Sequence, residues 1–235
     1  MDNGLIYDRE IVTDYNDIIQ EHKTVLELVG KSKKVLEFGC HTGYFSYWLK
    51  KNDCNVTGVD IYRPSIEKAQ QYLDSAFVGN IEDEDLWLNF NDKKYDVILF
   101  MQVLEHLINP QDILLKSKKY LKPNGKIIFS IPNISNWNTR FSFFNGNFNY
   151  TDTGVMDRTH LRFFNYNTAI NMIDECGFEI EKYKGVLNVN FSIFPNLRFI
   201  WRLNVIYNKI LNLILKKKHN LVDVVMVFSI RIKLF

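Results

Sequence analysis

Short apolar runs alternate with amphipathic segments along the first half of this chain. Compact apolar runs are typical of buried strands, and apolar residues at helical spacing are typical of helices. The apolar runs predict strands at residues 33–39, 56–60, 95–101 and 126–131. The amphipathic segments predict helices at residues 14–29, 44–51, 64–74 and 112–121. Strands and helices that alternate at these lengths indicate right-handed crossovers and a parallel sheet with helices on both faces.

The turn after the first predicted strand is the first candidate for ligand binding. Ligands of such sheets lie beyond the carboxyl ends of the strands, where this sequence has Gly39 and Gly43. Glycine lets a ligand approach the backbone where a β-carbon would collide. Asp60 ends the second predicted strand, 21 residues after Gly39. A carboxylate there accepts hydrogen bonds from ribose hydroxyls, so the pattern predicts a nucleoside site.

The kind of nucleoside follows from the residues around the glycines. A dinucleotide site with G-x-G-x-x-G spacing needs glycine at positions 41 and 44, where this chain has His41 and Tyr44. Nicotinamide and flavin enzymes are therefore disfavoured. Glu37 at the strand end would repel a phosphate but would hold a cationic amino group. S-adenosylmethionine combines an adenosine with an amino-acid arm and carries no phosphate, so it is the predicted ligand.

Several stretches, taken together, resemble class I S-adenosylmethionine-dependent methyltransferases. They are VLEFGCHTGYFSYWL, VTGVDIY, VGNIED, YDVILFMQVLEHLINP, LKPNGKIIFSIPN, and NYTDTGVMDRTHLRFF with the later ECGFEI. The likeness spans about residues 32–180 and is strongest to the bacterial group associated with surface-polysaccharide (O-antigen or capsule) biosynthesis. It implies an α/β, Rossmann-like class I methyltransferase fold with a mostly parallel seven-stranded sheet and helices on both faces. Residues 221–233 would be its antiparallel last strand.

The resemblance also implies cofactor contacts, residue by residue. The methionine arm would lie along Glu37, Gly39, Cys40 and Gly43, with His41 nearby. The ribose would lie on Asp60 and the sulfonium above Gln102. The adenine would lie against Ile61, and its edge would meet Asn80 and Ile81. Glu37 replaces the family's usual aspartate, and His41 replaces its usual second glycine. Structural roles stay open for some of these residues: a tight turn for the glycines, a helix cap for Asp60, packing for Cys40 and a turn for Asn80.

Methyl transfer to a hydroxyl needs an aligned acceptor and a group that takes up the hydroxyl proton. Histidine suits the second task, and His106 and His160 are the candidates, with Asp157 placed to orient an imidazole. The alternative role of these residues is structural, in shaping the cofactor pocket and fastening a lid. We expect His22 and His219 at the surface.

Residues 132–165 form an insert rich in asparagine and aromatic residues, as would suit a pocket for a hydroxylated ring. The candidate acceptor contacts are Trp137, Arg140, Tyr150, Asp152 and Arg158. The aromatic side chains would alternatively pack the insert onto the core. We therefore divide a single methyltransferase domain, 1–235, into an N-terminal helical cap (1–31), a cofactor-binding core (32–131), this acceptor-site lid (132–165) and the C-terminal helices and last strands (166–235).

Composition indicates the expected partners and cellular compartment of the protein, and it says little about its reaction. The 235 residues carry a net charge of +2, which gives no sign of a nucleic-acid partner. Three widely spaced cysteines indicate neither a disulfide framework nor a zinc site, so no metal is predicted and a reducing cytoplasm fits. Neither a secretory leader nor an apolar stretch long enough to span a membrane is visible.

Residues 197–218 combine apolar residues at helical spacing with lysine and arginine. Such a helix would lie on an anionic membrane surface or, alternatively, cross the sheet with its apolar face in the core. The predicted location is cytoplasmic, with peripheral contact at the inner face of the membrane as the open alternative. The sequence leaves the oligomeric state open.

The predicted activity is S-adenosylmethionine-dependent O-methylation of a saccharide or of a nucleotide- or lipid-linked sugar. A quinone precursor or another small aromatic is the alternative acceptor, since the resemblance extends to the LEH motif of enzymes of that kind. A non-catalytic cofactor-binding protein is the second alternative. Nucleic-acid methylation is disfavoured, because no Asn-Pro-Pro-Tyr or Asp-Pro-Pro-Tyr motif follows residue 101.

Overall fold

A seven-stranded sheet forms the centre of the molecule. The computed structural model describes residues 11–186 and 224–233. The strands are β1 (Lys34–Phe38), β2 (Asn55–Asp60), β3 (Ser75–Val78), β4 (Tyr95–Met101), β5 (Leu121–Pro132), β6 (Phe178–Val186) and β7 (Val225–Ile232). The α-helices are α1 (Gln20–Val29), α2 (Tyr44–Lys51), α3 (Arg63–Ala69), α4 (Glu84–Leu88), α5 (Pro110–Ser117), α6 (Trp137–Phe144) and α7 (Tyr166–Glu175).

The strand order is β3-β2-β1-β4-β5-β7-β6. Strands β1 to β5 pair in parallel, and β7 runs antiparallel to both β5 and β6. The predicted α/β fold, with a mostly parallel sheet and an antiparallel last strand, is confirmed. The order reverses at β1, which pairs with β2 on one side and with β4 on the other. The carboxyl ends of these three strands therefore form one edge, which we call the crevice edge.

Both faces of the sheet are covered, because successive side chains of a strand point to opposite sides. Phe38 and Phe100 join one core with residues of α4, α5 and α7. Val35 and Leu99 join a second core with residues of α1 and α2. Burial on both faces is usual for parallel strands, and it explains why β1 and β4 are nearly continuous apolar runs in the sequence.

Some predicted elements need correction. Helix α1 begins at Gln20 rather than at residue 14, since the Asp14 carboxylate accepts the Asn16 amide at 2.8 Å in a turn that precedes the helix. Strand β3 and helix α4 escape prediction because they are only four and five residues long. The predicted helix at 197–218 and His219 lie outside the described residues. Among the described residues, no helix has the length and apolar character needed to cross a membrane.

The core beside α4 provides a test of this packing. Phe90 is fully buried, with its ring 6.2 Å from that of Phe38 and 5.3 Å from that of Phe77. Phe90→Ala leaves a cavity, and we expect the free energy of unfolding to fall by about 3–5 kcal/mol. Leu88 is 62% exposed, so the control Leu88→Ala should change it by less than about 0.5 kcal/mol. Chemical denaturation of the three proteins measures both effects, and equal losses would contradict this description of the core.

Candidate active site

The glycine turn between β1 and α2 lies at the middle of the crevice edge. Gly39 has a backbone φ of +71° and Gly43 of +79°, a conformation that glycine adopts without strain. A β-carbon on Gly39 would lie 2.6 Å from Cγ2 of Val103, which follows β4. The turn is therefore packed against the exit of β4, and position 39 has room only for glycine.

Backbone hydrogen bonds fix this turn to the end of β2. The Val59 carbonyl accepts both the Gly39 amide at 2.8 Å and the Cys40 amide at 3.1 Å. The Gly43 amide donates to the Cys40 carbonyl at 2.9 Å. Amides bonded in this way are not free to cradle a phosphate, which agrees with the argument against a dinucleotide. A ligand would instead meet the bare Cα of Gly39, an exposed residue.

Asp60 lies beside the turn, with both carboxylate oxygens oriented by the backbone. Its Oδ2 accepts the His41 amide at 2.8 Å, and its Oδ1 accepts the Tyr62 amide at 2.9 Å. Each carboxylate oxygen keeps a further lone pair, so two ribose hydroxyls would find acceptors in fixed positions. The alternative role as a helix cap is not observed, because α3 begins without a side-chain cap.

Glu37 is the buried acid of the site. It is 2% exposed and accepts the Ser46 hydroxyl of α2 at 2.6 Å. Burial raises the pKa of Glu37 to about 8; the bond from Ser46 opposes this shift, and the nearby charge of Asp60 adds to it. Glu37 therefore holds a proton at neutral pH until a cation, such as the amino group of a ligand, lies next to it.

His41 and Cys40 have different places in the turn. His41 has a φ of +48°, the left-handed conformation that costs an ordinary residue about 1–2 kcal/mol. Its buried Nε2 has no hydrogen-bond partner among the described residues, so this atom is free to bind a ligand. Cys40 is 1% exposed and packs against Ile66 and Ala69 of α3. Cys40 therefore offers its backbone rather than its thiol to the site.

The predicted adenine contacts lie at the ends of β2 and β3. Ile61 is 69% exposed directly after β2. Asn80 follows β3 and closes a turn, with its Oδ1 accepting the Glu82 amide at 3.0 Å. The Ile81 side chain is only 8% exposed and belongs to the same core as Trp87. The Ile81 side chain therefore cannot lie against an adenine, and this residue would contribute through its backbone.

Gln102 connects the site to the N-terminal helix. It has a φ of +53°, and its side-chain amide donates to Oε1 of Glu21 at 3.1 Å. The Ser130 hydroxyl donates to the same oxygen at 2.5 Å. No signal in the sequence pointed to Glu21 or Ser130, because their contact joins residues 109 positions apart. The expectation that His22 lies at the surface is wrong: it is 6% exposed, with its ring 5.1 Å from that of Tyr44.

A short 3-10 helix, Leu104–His106, follows β4 and meets the lid. Glu105 is fully buried, and burial raises the pKa of its carboxyl well above the usual range. The Glu105 carbonyl accepts the amides of Leu161 and Arg162 at 2.8 and 2.9 Å. These two bonds fasten the second half of the lid to the core.

His106 and His160 come together from the core and from the lid. Their ring centroids are 4.8 Å apart in an edge-on arrangement. Burial lowers the pKa of both imidazoles, which favours their uncharged forms. The sequence placed these residues in different segments, and the fold makes them neighbours.

Asp157 reaches the histidine pair through a hydroxyl. Its Oδ1 accepts the Thr159 hydroxyl at 2.6 Å, and Thr159 Oγ1 lies 3.2 Å from Nδ1 of His106. The Nδ1 atom of His160 lies 3.2 Å from the Val155 carbonyl instead. The imidazole that Asp157 orients through Thr159 is thus His106.

The predicted acceptor contacts are exposed on the lid. Trp137 and Tyr150 are 56% and 53% exposed, so their rings do not pack the lid onto the core. Arg140 donates through Nε to the Ser135 carbonyl at 2.6 Å. Arg158 pairs with Asp152 at 2.7 Å, and both side chains are exposed. The lid therefore exposes aromatic faces, guanidinium groups and a carboxylate to solvent.

A cavity of about 350 Å³ lies at the other end of the strands, where Lys33 precedes β1 and Lys122 is the second residue of β5. One of its charges is already neutralised, since Lys122 pairs with Asp96 at 2.8 Å. This cavity is away from the glycine turn and the histidine pair, so we do not assign it to the candidate site.

Known proteins resemble this chain in sequence and in fold. Residues 10–183 match the profile of a family described as a methyltransferase domain. A ubiquinone biosynthesis O-methyltransferase of Coxiella burnetii is 33% identical over 105 residues, which are 44% of this chain and 45% of that relative. Another, of Rickettsia bellii, is 28% identical over 186 residues, which are 76% of this chain and 70% of the relative. The chain thus spans less than half the length of the first of these relatives.

A solved structure supports the fold. A SAM-dependent methyltransferase from Archaeoglobus fulgidus superposes with a TM-score of 0.61, over 89% of this chain and 90% of that one. The two sequences are 16% identical. At that identity the likeness concerns the fold and not the acceptor.

The buried carboxyl of Glu37 predicts a pH dependence of stability. Its pKa is about 8 in the folded protein and near the usual 4.5 in the unfolded chain, so between these values the folded state binds more protons. The free energy of unfolding should therefore fall as the pH rises from 5 to 9, by a few kcal/mol at about 1.4 kcal/mol per unit. Denaturation at several pH values should give a shallower fall for Glu37→Gln. Glu27→Gln, at an exposed position of α1, is the control, and a wild-type slope retained by Glu37→Gln would contradict the assignment.

Proposed function

This chain belongs to the methyltransferase-domain family, and from that premise we propose that it transfers a methyl group from S-adenosylmethionine to a hydroxyl of a saccharide or of a nucleotide- or lipid-linked sugar. The observation that carries the proposal is the contact of two imidazoles, those of His106 and His160, whose ring centroids lie 4.8 Å apart at the junction of the crevice edge and a polar, aromatic lid. A site of this kind suits an acceptor that loses a proton as it is methylated.

The glycine turn fits the cofactor. Gly39 leaves bare backbone where a β-carbon would meet Val103, and the oriented oxygens of Asp60 suit ribose hydroxyls. Glu37 and the free Nε2 of His41 lie on either side of Gly39 in the chain and would meet the amino-acid arm. When bound, S-adenosylmethionine supplies an electrophilic methyl group on its sulfonium sulfur.

The remaining task of the chain is to hold the acceptor oxygen in line and to take up its proton. A backbone carbonyl accepts but does not donate, so the contacts of both Nδ1 atoms with carbonyl oxygens assign the ring proton of His106 and of His160 to Nδ1. The Nε2 atom of each ring then carries no proton and has a lone pair available. These two lone pairs are the candidate proton acceptors.

The lid supports a saccharide as the acceptor. Trp137 and Tyr150 offer exposed aromatic faces, against which sugar rings stack, and Arg140 and Arg158 offer hydrogen-bond donors. An arginine on the lid also suits the phosphate of a nucleotide- or lipid-linked sugar.

A ring hydroxyl of a quinone precursor is the second candidate acceptor. Its support is the name of the curated relatives, which are ubiquinone biosynthesis O-methyltransferases at 28–33% identity. Contact of residues 197–218 with an anionic membrane would suit a lipid-soluble acceptor of either kind and stays a prediction, as does a cytoplasmic location. We include no nucleic-acid partner in the proposal. A non-catalytic protein that binds the cofactor is the remaining alternative.

Cofactor binding is the first test of the proposed function. We expect S-adenosylhomocysteine to bind the wild-type protein in a calorimetric titration, with a dissociation constant in the micromolar range. Asp60→Asn removes the charge that orients the ribose hydroxyls and should weaken binding at least about tenfold, as the loss of a hydrogen bond to a charged group predicts. Glu67→Gln, at an exposed position of α3, should bind like the wild type. A folded wild-type protein that binds no S-adenosylhomocysteine would refute the proposed activity.

Acceptor choice is tested by methyl uptake from radiolabelled S-adenosylmethionine. A panel of nucleotide-linked sugars is compared with a soluble catechol that stands for the quinone precursor. We expect label in the sugar fraction and a large fall in kcat for the lid variant Trp137→Ala, because stacking contributes to acceptor alignment. Label in the catechol alone would favour the second candidate, and cofactor binding without label in any acceptor would favour the non-catalytic alternative.

A further inference from the structure

Three potential metal ligands meet where the lid joins the core. One ligand atom each from Glu105, His106 and His160 lies within 4.8 Å of the other two. Glu105 and His106 belong to the short helix after β4, and His160 belongs to the lid. The cluster is therefore assembled by the fold from two segments more than 50 residues apart.

The carboxylate of Glu105 is the unexplained member of this cluster. The residue is fully buried, and within the described part of the chain neither Oε1 nor Oε2 has a hydrogen-bond partner. A buried polar group without a partner is costly, and a buried charge is much more so. A cation bound by Glu105 would remove this cost, whereas no described side chain does.

The two imidazoles are oriented as metal-binding histidines are. A metal-bound imidazole usually donates its other ring N–H to a carbonyl or carboxylate, which fixes the ring and its tautomer. Nδ1 of His106 lies 3.3 Å from the Thr159 carbonyl, and Nδ1 of His160 lies 3.2 Å from the Val155 carbonyl. Both Nε2 atoms are thereby left as neutral ligands.

We propose that Glu105, His106 and His160 bind one divalent transition-metal ion, and that Zn²⁺ suits this donor set best. Two imidazole nitrogens with one carboxylate are typical ligands of catalytic zinc, which keeps a fourth position open. Mg²⁺ and Ca²⁺ prefer sites made of oxygen. Bonds of about 2.1 Å to a tetrahedral metal place the donors roughly 3.4 Å apart, so the three side chains close in by rotation.

This inference rests on the proposed function and refines one step of it. The same Nε2 lone pairs that would take up a proton would hold the metal, and the acceptor hydroxyl would occupy the open position. A metal-bound hydroxyl is more acidic, as zinc-bound water is. The O–H bond then breaks, its proton passes to water, and the electron pair stays on the oxygen that is to be methylated.

Metal binding can be measured without any methyl acceptor. The purified full-length protein is stripped with a chelator, dialysed and titrated with ZnSO₄ in a calorimeter, and a CoCl₂ titration is followed by its visible absorption. We expect one equivalent per chain. Glu105→Gln and His160→Asn, one from each segment, should weaken binding at least about tenfold. His41→Asn is the matched control, since it removes a histidine with a free Nε2 outside the cluster, and it should bind as the wild type does.

Folding and function are separated by two further measurements. Zn²⁺ should raise the melting temperature of the wild type and not that of the two cluster variants, because only a ligand of the native state stabilises it. S-adenosylhomocysteine should bind the chelator-treated protein. A wild type that takes up no more zinc than Glu105→Gln, or a His41→Asn that loses the metal equally, would overturn the metal site and leave the proposed methyltransferase function standing. Stoichiometric zinc binding by a protein that binds no S-adenosylhomocysteine would support the metal site and refute the proposed methyltransferase function.

Discussion

The carbonyl of Val59 is the point on which the candidate cofactor site depends. It receives the amides of both Gly39 and Cys40, and so it holds the turn after β1 against the last residues of β2. That attachment places the His41 amide next to Asp60, and it turns the Cα of Gly39 outwards. Because these bonds join backbone groups, the shape of the turn depends little on the side chains around it. A histidine in a left-handed conformation can therefore occupy position 41 at a modest cost.

The cofactor half of the site was largely visible in the sequence. The bounds of α2 and β4 match the predicted ones, because each is a clear amphipathic or apolar segment with polar or glycine residues beside it. Gly39, Gly43 and Asp60 could be placed because their roles follow from where parallel strands end. Ile81 shows the limit of this reasoning: the sequence gives its position in the turn but not the direction of its side chain.

Contacts between distant segments were beyond prediction from the sequence. Glu21 of α1 meets Ser130 of β5, and His106 meets His160, only because the fold brings segments that are distant in the sequence together. The sequence also could not show that the Glu105 carboxylate lacks a hydrogen-bond partner among the described residues, because this depends on every element packed around it. A single sequence shows the residues that such a cluster requires, and it does not show whether they are satisfied. The roles of the residues on the acceptor side therefore became visible only in the structure.

The two amides that Leu161 and Arg162 donate to the Glu105 carbonyl make one side of the lid harder to displace than the other. Lifting this part of the lid would strand a carbonyl of a fully buried residue, which costs about 1–3 kcal/mol. Most residues of the other part of the lid, from Trp137 to Tyr150, are exposed, and neither bond to the Glu105 carbonyl comes from this part. Displacing the α6 side of the lid therefore breaks neither of these bonds, whereas displacing the side at Leu161 and Arg162 breaks both.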